Sequence, residues 1–496
     1  MMHFNARDFA LFGGAVNFAS PVFDTDSYKL SHYTQYPEGT ENVSSYIEAR
    51  SPWGGVDYVL FFGLLGLLGC RILGIQIELA QLQGQVITQA DLDEAVPFLA
   101  EHGFQINTAG WQHIIDEHGG RLPIEIDALD EGVLAPVSVP QLRVRATDPA
   151  CNWLVSYLET RLLRAVWYAS TVATVSHYVL GKIREKMMIT DGTTAGAEFK
   201  LHDFGGRGAS SFETAVIGGC AHLVSSYGTD TTPALGLARN IYGAQMAGFS
   251  IPASEHSTMT ALGEAGELKQ FERMLDKHPE GLVACVSDSY DLFRAVEDYW
   301  GTALKDRIMG RNGTLVVRPD SGEPTEIVPA VIEALMDKFG YTVNDQGYRV
   351  LPDQVRVIQG DGVNPDSIVR IMDAMIARKI AISNVAFGMG GALLQRVDRD
   401  TFAYAMKASA IQIDGAWHDV FKDPKTARGT KTSKKGIQGA MRDEAGILRA
   451  CPAARIPEGQ DALTPVFRDG QILRKHRFDE VRGRAWPGCA GFDLAA

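Results

Sequence analysis

The feature that most constrains the fold is a repeated alternation of short apolar runs and helical stretches, which begins near Glu198. Each apolar run ends in a cluster of Gly, Asp or Ser, and each interval has the length of about one strand and one helix. Repeated strand–helix units predict a parallel sheet, and several units in one stretch favour a barrel over a doubly wound sheet. The runs end at HDFGGRG (202–208), PASEHS (252–257), VSDSYD (286–291), VVRPDSGEP (316–324), VIQGDGVN (357–364) and VAFGMGG (385–391).

The chain on either side of this stretch has a different pattern, which predicts a second domain. Pro123–Ala128 is typical of a strand, and Cys151–Lys186 carries apolar residues at the spacing of one long helix. We therefore predict the α/β class: an irregular βα barrel and a second α+β sheet domain built from N- and C-terminal segments. The predicted parts are an arm over residues 1–20, an α+β domain over 21–180 completed by 400–496, and a barrel over 181–399.

Composition and charge exclude several classes of protein. The hydrophobic fraction of 45% is ordinary for a globular chain, and the apolar run Tyr58–Leu68 is too short to span a bilayer. A formal net charge of -13 argues against a general nucleic-acid binder, but it allows phosphorylated substrates where basic groups converge. None of the 6 cysteines forms a C-x-x-C pair, which favours reduced thiols over a disulfide or zinc framework. We expect a cytoplasmic protein with no membrane or nucleic-acid partner.

Three predicted strand ends are rich in glycine: Asp320–Gly322, Gly360–Gly362 and Gly388–Gly391. Glycine lets backbone N–H groups approach a phosphate closely, and the N-terminus of a following helix adds a favourable dipole. Tight turns between a strand and a helix also need glycine, so each segment alone is weak evidence. Three such segments in succession favour a phosphate ligand.

Charged residues accompany these glycines. Asp320 and Asp361 follow apolar strands and are candidates for binding Mg²⁺ through water or diphosphate oxygens. Capping of the next helix is an equally good interpretation of both residues. Each nearby cation alone is typical of a solvated surface, but the set would balance the charge of a diphosphate. The cations are Arg207, Arg318, Arg399, Lys407, Lys422 and Lys431.

One histidine lies where a reactive group is expected. Ala253–His256 ends one predicted strand, and the acidic segment Ser287–Asp291 ends the next. A histidine facing a carboxylate is held in one tautomer, which makes its other ring nitrogen a better nucleophile or base. A lone histidine is more often a hydrogen-bonded structural residue, but the strand-end position and the adjacent acids favour a functional role for His256.

The motifs resemble those of the nicotinamide phosphoribosyltransferase family, in family order from near Val22 almost to the C-terminus. Shared motifs include DTDSYKLSHYTQYPEGT (24–40), KLHDFGGRGASSFETA (200–215), GTDTT (228–232), IPASEHSTMTA (251–261) and AFGMGGALLQ (386–395). The resemblance implies a barrel of phosphoribosyltransferase type that converts nicotinamide and 5-phosphoribosyl 1-diphosphate into nicotinamide mononucleotide and diphosphate, in NAD salvage. It also implies Mg²⁺ as cofactor, ATP as co-substrate and a homodimer with shared active sites.

The resemblance also assigns roles around nicotinamide. The ring would stack between Phe204 and Tyr28 of the partner subunit, with Arg207 beside the ring and its carbonyl group. Asp230 would accept a hydrogen bond from the carboxamide, and the same carboxylate would repel nicotinic acid. Two further residues would border this pocket: Ser250 and Ala253.

The remaining roles concern phosphate groups. His256 would be phosphorylated by ATP, Asp291 would orient its imidazole, and Asp320 completes the predicted catalytic set. Phosphoribosyl diphosphate would be held by Arg318, Asp320, Gly360, Asp361, Gly390, Gly391 and Arg399. Residues that would reach the diphosphate or the ATP phosphates, some across the dimer interface, are Arg50, Lys422 and Lys431. Asp26 and Lys407 are the other substrate-binding candidates.

Two alternatives remain open at this point. A nicotinate phosphoribosyltransferase would share the phosphate-binding residues and differ in its choice of base. A non-catalytic barrel that binds a metabolite would keep the fold without the reaction.

Overall fold

A computed structural model describes residues 20–63, 86–427 and 432–486. The chain divides into two compact units: one contains the residues up to Thr171 and those from Asp398 onward, and the other is Val172–Val397. The sequence placed these boundaries between residues 180 and 181 and between 399 and 400. The predicted arm, except for Ser20, lies outside the described residues.

The strands of the described residues are numbered in chain order. They are β1 (Thr40–Glu48), β2 (Tyr58–Leu60), β3 (Ile124–Ala128), β4 (Leu134–Pro136), β5 (Leu142–Ala146), β6 (Leu201–Asp203), β7 (Gly228–Thr229), β8 (Glu280–Val286), β9 (Asn312–Arg318), β10 (Thr342–Val343), β11 (Arg349–Val350), β12 (Val355–Gln359), β13 (Val385–Met389), β14 (Ala405–Ile413), β15 (Ala416–Asp419), β16 (Gln438–Arg442), β17 (Leu448–Pro452), β18 (Thr464–Arg468) and β19 (Gln471–Ile472).

The α-helices are numbered in the same way. They are α1 (Gln89–Glu101), α2 (Thr108–His118), α3 (Leu154–Tyr157), α4 (Glu159–Thr190), α5 (Phe212–His222), α6 (Thr232–Tyr242), α7 (His256–Met259), α8 (Glu267–Lys277), α9 (Leu292–Arg294), α10 (Lys305–Met309), α11 (Pro324–Phe339), α12 (Pro365–Ala377), α13 (Gly391–Leu394) and α14 (Phe478–Ala485).

The first unit is built on a seven-stranded antiparallel sheet with the order β15-β14-β1-β5-β3-β18-β19. Strands from the two ends of the chain are neighbours in it, since β1 pairs with β14 and β3 pairs with β18. The strand predicted over Pro123–Ala128 is β3. The helix predicted over Cys151–Lys186 is divided into α3 and α4 at Leu158, and α4 continues to Thr190.

The second unit is built on a six-stranded parallel sheet with the order β7-β6-β13-β12-β9-β8. Phe249 pairs with the start of β7, because its backbone N–H donates to Tyr227 O and its carbonyl oxygen accepts from Thr229 N. Farther along the same segment, Ser254 N donates to Ala284 O on β8 at 3.0 Å. One short segment thus joins both outer strands, which requires the sheet to curl. The prediction of a parallel sheet built from repeated strand–helix units is confirmed, and the sheet is curled.

Five of the six predicted apolar runs end in strands of this sheet: β6, β8, β9, β12 and β13. The run before PASEHS is not a strand but forms two isolated parallel bridges, Phe249 with Gly228 and Ala253 with Ala284, and β7 was not predicted. The carboxyl ends of parallel strands share one edge of a sheet, so the polar clusters that follow these strands are collected at that edge.

The remaining predictions about class concern membranes and thiols. Within the described ranges, no helix combines the length and apolarity needed to cross a bilayer. Residues 64–68 of the apolar run lie outside the described residues, as do Cys70 and Cys489. The four cysteines that the structure does describe are not joined to one another by disulfides: Cys151, Cys220, Cys285 and Cys451.

Candidate active site

Residues following β6, β9, β12 and β13 surround a cavity of about 240 Å³. It is lined by Phe204, Arg207, Gly208, Arg318, Asp320, Gly360, Asp361, Gly390 and Gly391. All of them except Gly208 were singled out from the sequence. The cavity combines cationic, carboxylate, aromatic and backbone groups, which together suit a phosphorylated ligand with a flat ring.

A neighbouring cavity of about 430 Å³ shares Arg207 with the first. It is lined by Gly206, Arg207, Ala209, Ser211, Phe212, Ala215, Asp230, Thr231, Thr232 and Pro233. Asp230 follows β7, and its Oδ1 accepts a hydrogen bond from Ser250 Oγ at 2.5 Å. This bond fixes the carboxylate and leaves lone pairs for another donor. Ser211, Phe212 and Thr231 had not been predicted.

Phe204 is held by both its backbone and its ring. Its N–H donates to Met389 O at 3.1 Å, and its half-buried ring packs on the core formed by Ala284, Val316 and Ile358. A Cβ atom added at Gly388 would lie 1.9 Å from Phe204 Cε2. Gly388 therefore makes room for the aromatic ring, a different role from the phosphate contact predicted for its segment.

Asp203, directly before Phe204, is a buried carboxyl group that sequence reasoning did not single out. Its Oδ1 accepts a hydrogen bond from Gly205 N at 2.7 Å, which shapes the turn carrying Phe204 and Arg207. Burial raises the pKa of Asp203 to about 6, since the ionised form loses its hydration. An acidic residue at the end of a strand was the available signal.

The raised pKa of Asp203 predicts a pH-dependent stability. In the unfolded chain the pKa of an aspartate side chain is about 3.9, so the unfolded state ionises first as the pH rises. The free energy of unfolding should fall between about pH 4 and 6, by about 1–3 kcal/mol, and then level off. Asp203→Asn keeps an oxygen acceptor for Gly205 and cannot ionise, so this loss should disappear.

Urea denaturation of the wild type and Asp203→Asn at about pH 4.5, 6 and 7.5 measures the difference in their free energies of unfolding. These pH values lie below, at and above the pKa of Asp203, which is about 6. The variant should gain stability relative to the wild type as the pH rises. A constant difference across the series would contradict the raised pKa of Asp203.

His256 is the first residue of α7 and lies beside the first cavity. Its Nε2 is 3.1 Å from Asp288 Oδ1, and its Nδ1 is 3.8 Å from Asp320 Oδ2. The histidine side chain is 45% exposed, whereas that of Asp288 is 4% exposed. The buried carboxylate thus holds one ring nitrogen and leaves the other directed to Asp320, which itself lies 3.4 Å from Arg318 Nη2.

The predicted contact between Asp291 and His256 is wrong in this structure. Asp291 Oδ1 accepts from Arg294 N at 3.0 Å and so caps the short helix α9. Asp288, three residues earlier, also accepts from Asp320 N at 3.1 Å and from Ser321 Oγ at 2.5 Å. Because Asp288 lies just after β8, its side chain reaches both His256 and the turn after β9.

The capping interpretation of Asp320 and Asp361 is also wrong. The N-cap residues of α11 and α12 are Glu323 and Asn364, and Asn364 accepts from the backbone of its own helix. The carboxylates of Asp320 and Asp361 instead line the first cavity. Oxygen ligands of this kind, with room for phosphate oxygens, are what Mg²⁺ prefers.

Several predicted cations lie in the other unit. Lys407 on β14 is close to Arg50 and Lys422: burial and then the charges of these two residues lower the pKa of Lys407. Arg50 also donates through Nε to Ala403 O at 2.7 Å. The structure thus brings these three cations together, and a concentration of positive charge suits a polyphosphate.

The other predicted residues of that unit have separate surroundings. Asp26 Oδ2 accepts from Thr160 Oγ1 at 2.7 Å, and Tyr28 is 58% exposed. Arg399 pairs with its neighbour Asp400 at 2.8 Å. Lys431 lies outside the described residues. A basic residue not predicted, Lys434, forms an ion pair with the buried Glu48 on β1.

Two family models match this chain. The model of the nicotinate phosphoribosyltransferase (NAPRTase) family matches residues 199–471, and the model of the nicotinamide phosphoribosyltransferase N-terminal domain matches residues 20–126. The chain is 46% identical over 473 residues to a nicotinamide phosphoribosyltransferase of Xanthomonas campestris pv. campestris, covering 94% of this chain and 97% of the relative. It is 32% identical to the protein of that name from Acinetobacter baylyi, with the same coverage.

Solved structures of low sequence identity share the fold. The nicotinate-nucleotide pyrophosphorylase of Pyrococcus furiosus is 15% identical with a TM-score of 0.58, covering 98% of this chain and 97% of that chain. Human nicotinic acid phosphoribosyltransferase is 17% identical with a TM-score of 0.53, covering 93% and 92%.

Proposed function

Because the chain belongs to the nicotinamide phosphoribosyltransferase family, we propose that it transfers the phosphoribosyl group of 5-phosphoribosyl 1-diphosphate to nicotinamide. The products are nicotinamide mononucleotide and diphosphate. The observation that carries the proposal is the 240 Å³ cavity, where Phe204, two arginines, two carboxylates and glycine backbone surround one space.

The reaction replaces one bond at C1 of the ribose by another. The pyridine nitrogen attacks C1 with its lone pair as the C1–oxygen bond breaks, and the electron pair of that bond leaves on diphosphate. The attacking nitrogen carries no proton, so no general base is needed. The work of the site is to align the two substrates and to stabilise the departing negative charge, and the cavity-lining Arg318 is our candidate for the second task.

Asp320 and Asp361 would hold Mg²⁺ together with oxygens of the substrate. The ion supplies neutralisation of the diphosphate charge when it is bound. The donor set fits this ion, because both carboxylates line the same cavity and neither is used as the N-cap of α11 or α12.

Asp230 would select the amide over the acid. Its carboxylate, held by Ser250, attracts the NH₂ group of nicotinamide and repels the carboxylate of nicotinic acid. Asp230→Asn should lower kcat/KM for nicotinamide by about 10- to 100-fold, the size expected for one hydrogen bond to a charged group. The same change should raise the nicotinic acid to nicotinamide ratio of kcat/KM.

Steady-state kinetics with both bases, at saturating phosphoribosyl diphosphate, measure that ratio. Asp276→Asn is the control for loss of one negative charge, since Asp276 is an exposed acid on α8 that pairs with Arg307. A ratio that is unchanged in Asp230→Asn would refute the selective role of this carboxylate.

We also propose that ATP phosphorylates His256. With Nε2 held by Asp288, the lone pair of Nδ1 would attack the terminal phosphorus of ATP, and ADP would leave with the electron pair of the broken bond. The phosphohistidine would then increase the affinity for substrates before water hydrolyses it. The exposed position of His256 beside the cavity residue Asp320 supports this role.

A homodimer with shared sites completes the proposal, in which Tyr28 of the partner subunit stacks on nicotinamide. Phe204→Ala and Tyr28→Ala would each inactivate a homodimer, whereas mixing them would give hybrids with one intact site. Activity that reappears after subunit exchange supports sharing. If mass spectrometry shows that the hybrid has formed and the mixture is still inactive, shared sites are refuted.

One assay separates the candidate functions. The protein is mixed with nicotinamide or nicotinic acid, phosphoribosyl diphosphate and Mg²⁺, with and without ATP, and the mononucleotides are measured by chromatography. Nicotinamide mononucleotide as the main product supports the proposal. Preference for nicotinic acid identifies a nicotinate phosphoribosyltransferase. Absence of product from both bases supports the non-catalytic barrel.

A further inference from the structure

A second group of reactive side chains lies in the first unit and is used by none of the steps above. It contains His113, His118, Asp148 and Cys151, whose candidate ligand atoms all lie within 4.8 Å of one another. His113 Nε2 and His118 Nε2 are each 2.7 Å from the same oxygen, Oδ2 of Asp148. Two imidazoles and a thiol around one carboxylate oxygen form the donor set of a transition-metal site.

Local structure explains why these groups meet. His113 and His118 lie on α2, where His118 is the last residue before Gly119 ends the helix in the left-handed conformation, φ 57°. Asp148 follows β5 and caps the 3-10 turn Pro149–Cys151, with its Oδ1 accepting from Ala150 N at 2.9 Å. One carboxylate oxygen is thus occupied by the backbone, and the other is directed to the histidines.

We propose that His113, His118, Asp148 and Cys151 bind one divalent transition-metal ion, most suitably Zn²⁺, which fastens the end of α2 to the turn after β5. Zinc bonds of 2.0–2.3 Å place tetrahedral ligands about 3.3–3.8 Å apart, so the imidazole nitrogens and the carboxylate need to separate only slightly. Four protein ligands close the coordination sphere, which is typical of a structural zinc site.

The burial of the group suits an ion that enters from solvent and is then enclosed. Side-chain exposure is 34% for His113, 26% for His118 and 22% for Asp148, whereas Cys151 is fully buried. Burial raises the pKa of the Cys151 thiol to about 12, so zinc would displace the thiol proton to solvent as the zinc–sulfur bond forms. To bind through Nε2, each neutral histidine would change from the tautomer protonated on Nε2 to the one protonated on Nδ1.

The competing explanation is a group of hydrogen bonds without a metal, in which both imidazoles donate to Asp148. That arrangement explains the two 2.7 Å contacts, but it gives no role to the thiol at the same point. The participation of Cys151 therefore distinguishes the two explanations. The site lies outside both cavities of the candidate active site, so its test does not depend on the proposed reaction.

The test uses the full chain without a histidine tag, stripped of metal with a chelator. Zinc is titrated against a chromophoric chelator, and Co²⁺ is added as a spectroscopic probe. We expect one tight site per chain, a near-ultraviolet thiolate-to-cobalt band and a higher melting temperature with zinc. His113→Gln and Cys151→Ser should each weaken zinc binding by at least about 100-fold, because even changes outside the ligand shell cost about 10- to 100-fold.

Two variants serve as matched controls. His418→Gln alters an exposed histidine on β15, and Cys451→Ser alters a half-buried free thiol, so both should keep the affinity and the cobalt band. His113 is partly exposed, so His113→Gln remains informative if Cys151→Ser fails to fold. Zinc affinity equal in the wild type and His113→Gln, or a cobalt band that persists in folded Cys151→Ser, overturns the proposal.

Discussion

Replacing His256 with alanine is expected to lower ATP hydrolysis by about 1000-fold or more and to remove the stimulation of nicotinamide mononucleotide synthesis by ATP. The imidazole is the proposed acceptor of the phosphoryl group, and alanine offers no nucleophile in its place. Synthesis without ATP should persist, because bond exchange at C1 needs no group from His256. Release of inorganic phosphate and formation of the mononucleotide are measured in the same reaction.

Variants of the two nearby acids make this prediction specific to the geometry. Asp288→Asn should reduce ATP hydrolysis strongly, since it removes the buried charge 3.1 Å from His256 Nε2. Asp291→Asn should have little effect on hydrolysis, because Asp291 caps α9. Labelling with ATP carrying a radioactive terminal phosphate should give an acid-labile phosphoprotein in the wild type and none in His256→Ala. ATP-stimulated turnover in His256→Ala would refute the phosphohistidine. A larger loss of ATP hydrolysis in Asp291→Asn than in Asp288→Asn would refute the pairing of His256 with Asp288.

The acids after β8 show what the sequence predicts and where it fails. The segment VSDSYD was correctly predicted to follow a strand, because an apolar run and a turn are both local signals. The choice between Asp288 and Asp291 depends on the course of the turn and on the start of α9. A carboxylate three residues along can serve equally well as a helix cap, so composition does not separate the two roles.

The cavity residues were predictable for a similar physical reason. In a parallel sheet, every strand brings the residues at and just after its carboxyl end to the same edge, so Phe204, Arg318, Gly360 and Gly390 meet although they are far apart in sequence. The joining segment Phe249–Ser254 was not predicted as a link between edges. Its bonds to β7 and β8 come from long-range pairing, for which six residues give no periodic signal.

The roles of glycine were the least predictable part of the site. Gly362 has φ +68° and Gly322 has φ +88°, so both are needed for left-handed turns. Gly388 lies within β13 and contacts an aromatic ring, while a Cβ at Gly391 would meet no atom within 4 Å. Glycine is thus needed for a backbone conformation at one position, for ring packing at another and for open space beside a ligand at a third. The sequence shows only the residue type and does not separate these three reasons.

Gly388→Ala is expected to lower kcat/KM for nicotinamide by at least about 100-fold and to destabilise the second unit by about 1–3 kcal/mol. The new methyl group would lie 1.9 Å from Phe204 Cε2 and 2.1 Å from Cδ2, so the ring has to leave its position. The strand is unable to yield instead, because β13 is bonded between β6 and β12. Steady-state kinetics and urea denaturation measure the two effects.

Two further variants separate loss of the ring position from general damage. Gly236→Ala, at a helical glycine of α6 with no atom within 4 Å, should leave activity near the wild-type value and should not lower stability, since alanine is the better helix former. Adding Phe204→Leu to Gly388→Ala removes ring atoms from the clash, so stability should recover while activity stays low. Full activity in Gly388→Ala would show that Phe204 can bind nicotinamide from another position. Recovery of activity in the double variant would show that an aromatic ring is not required, and the stacking role of Phe204 would then fail.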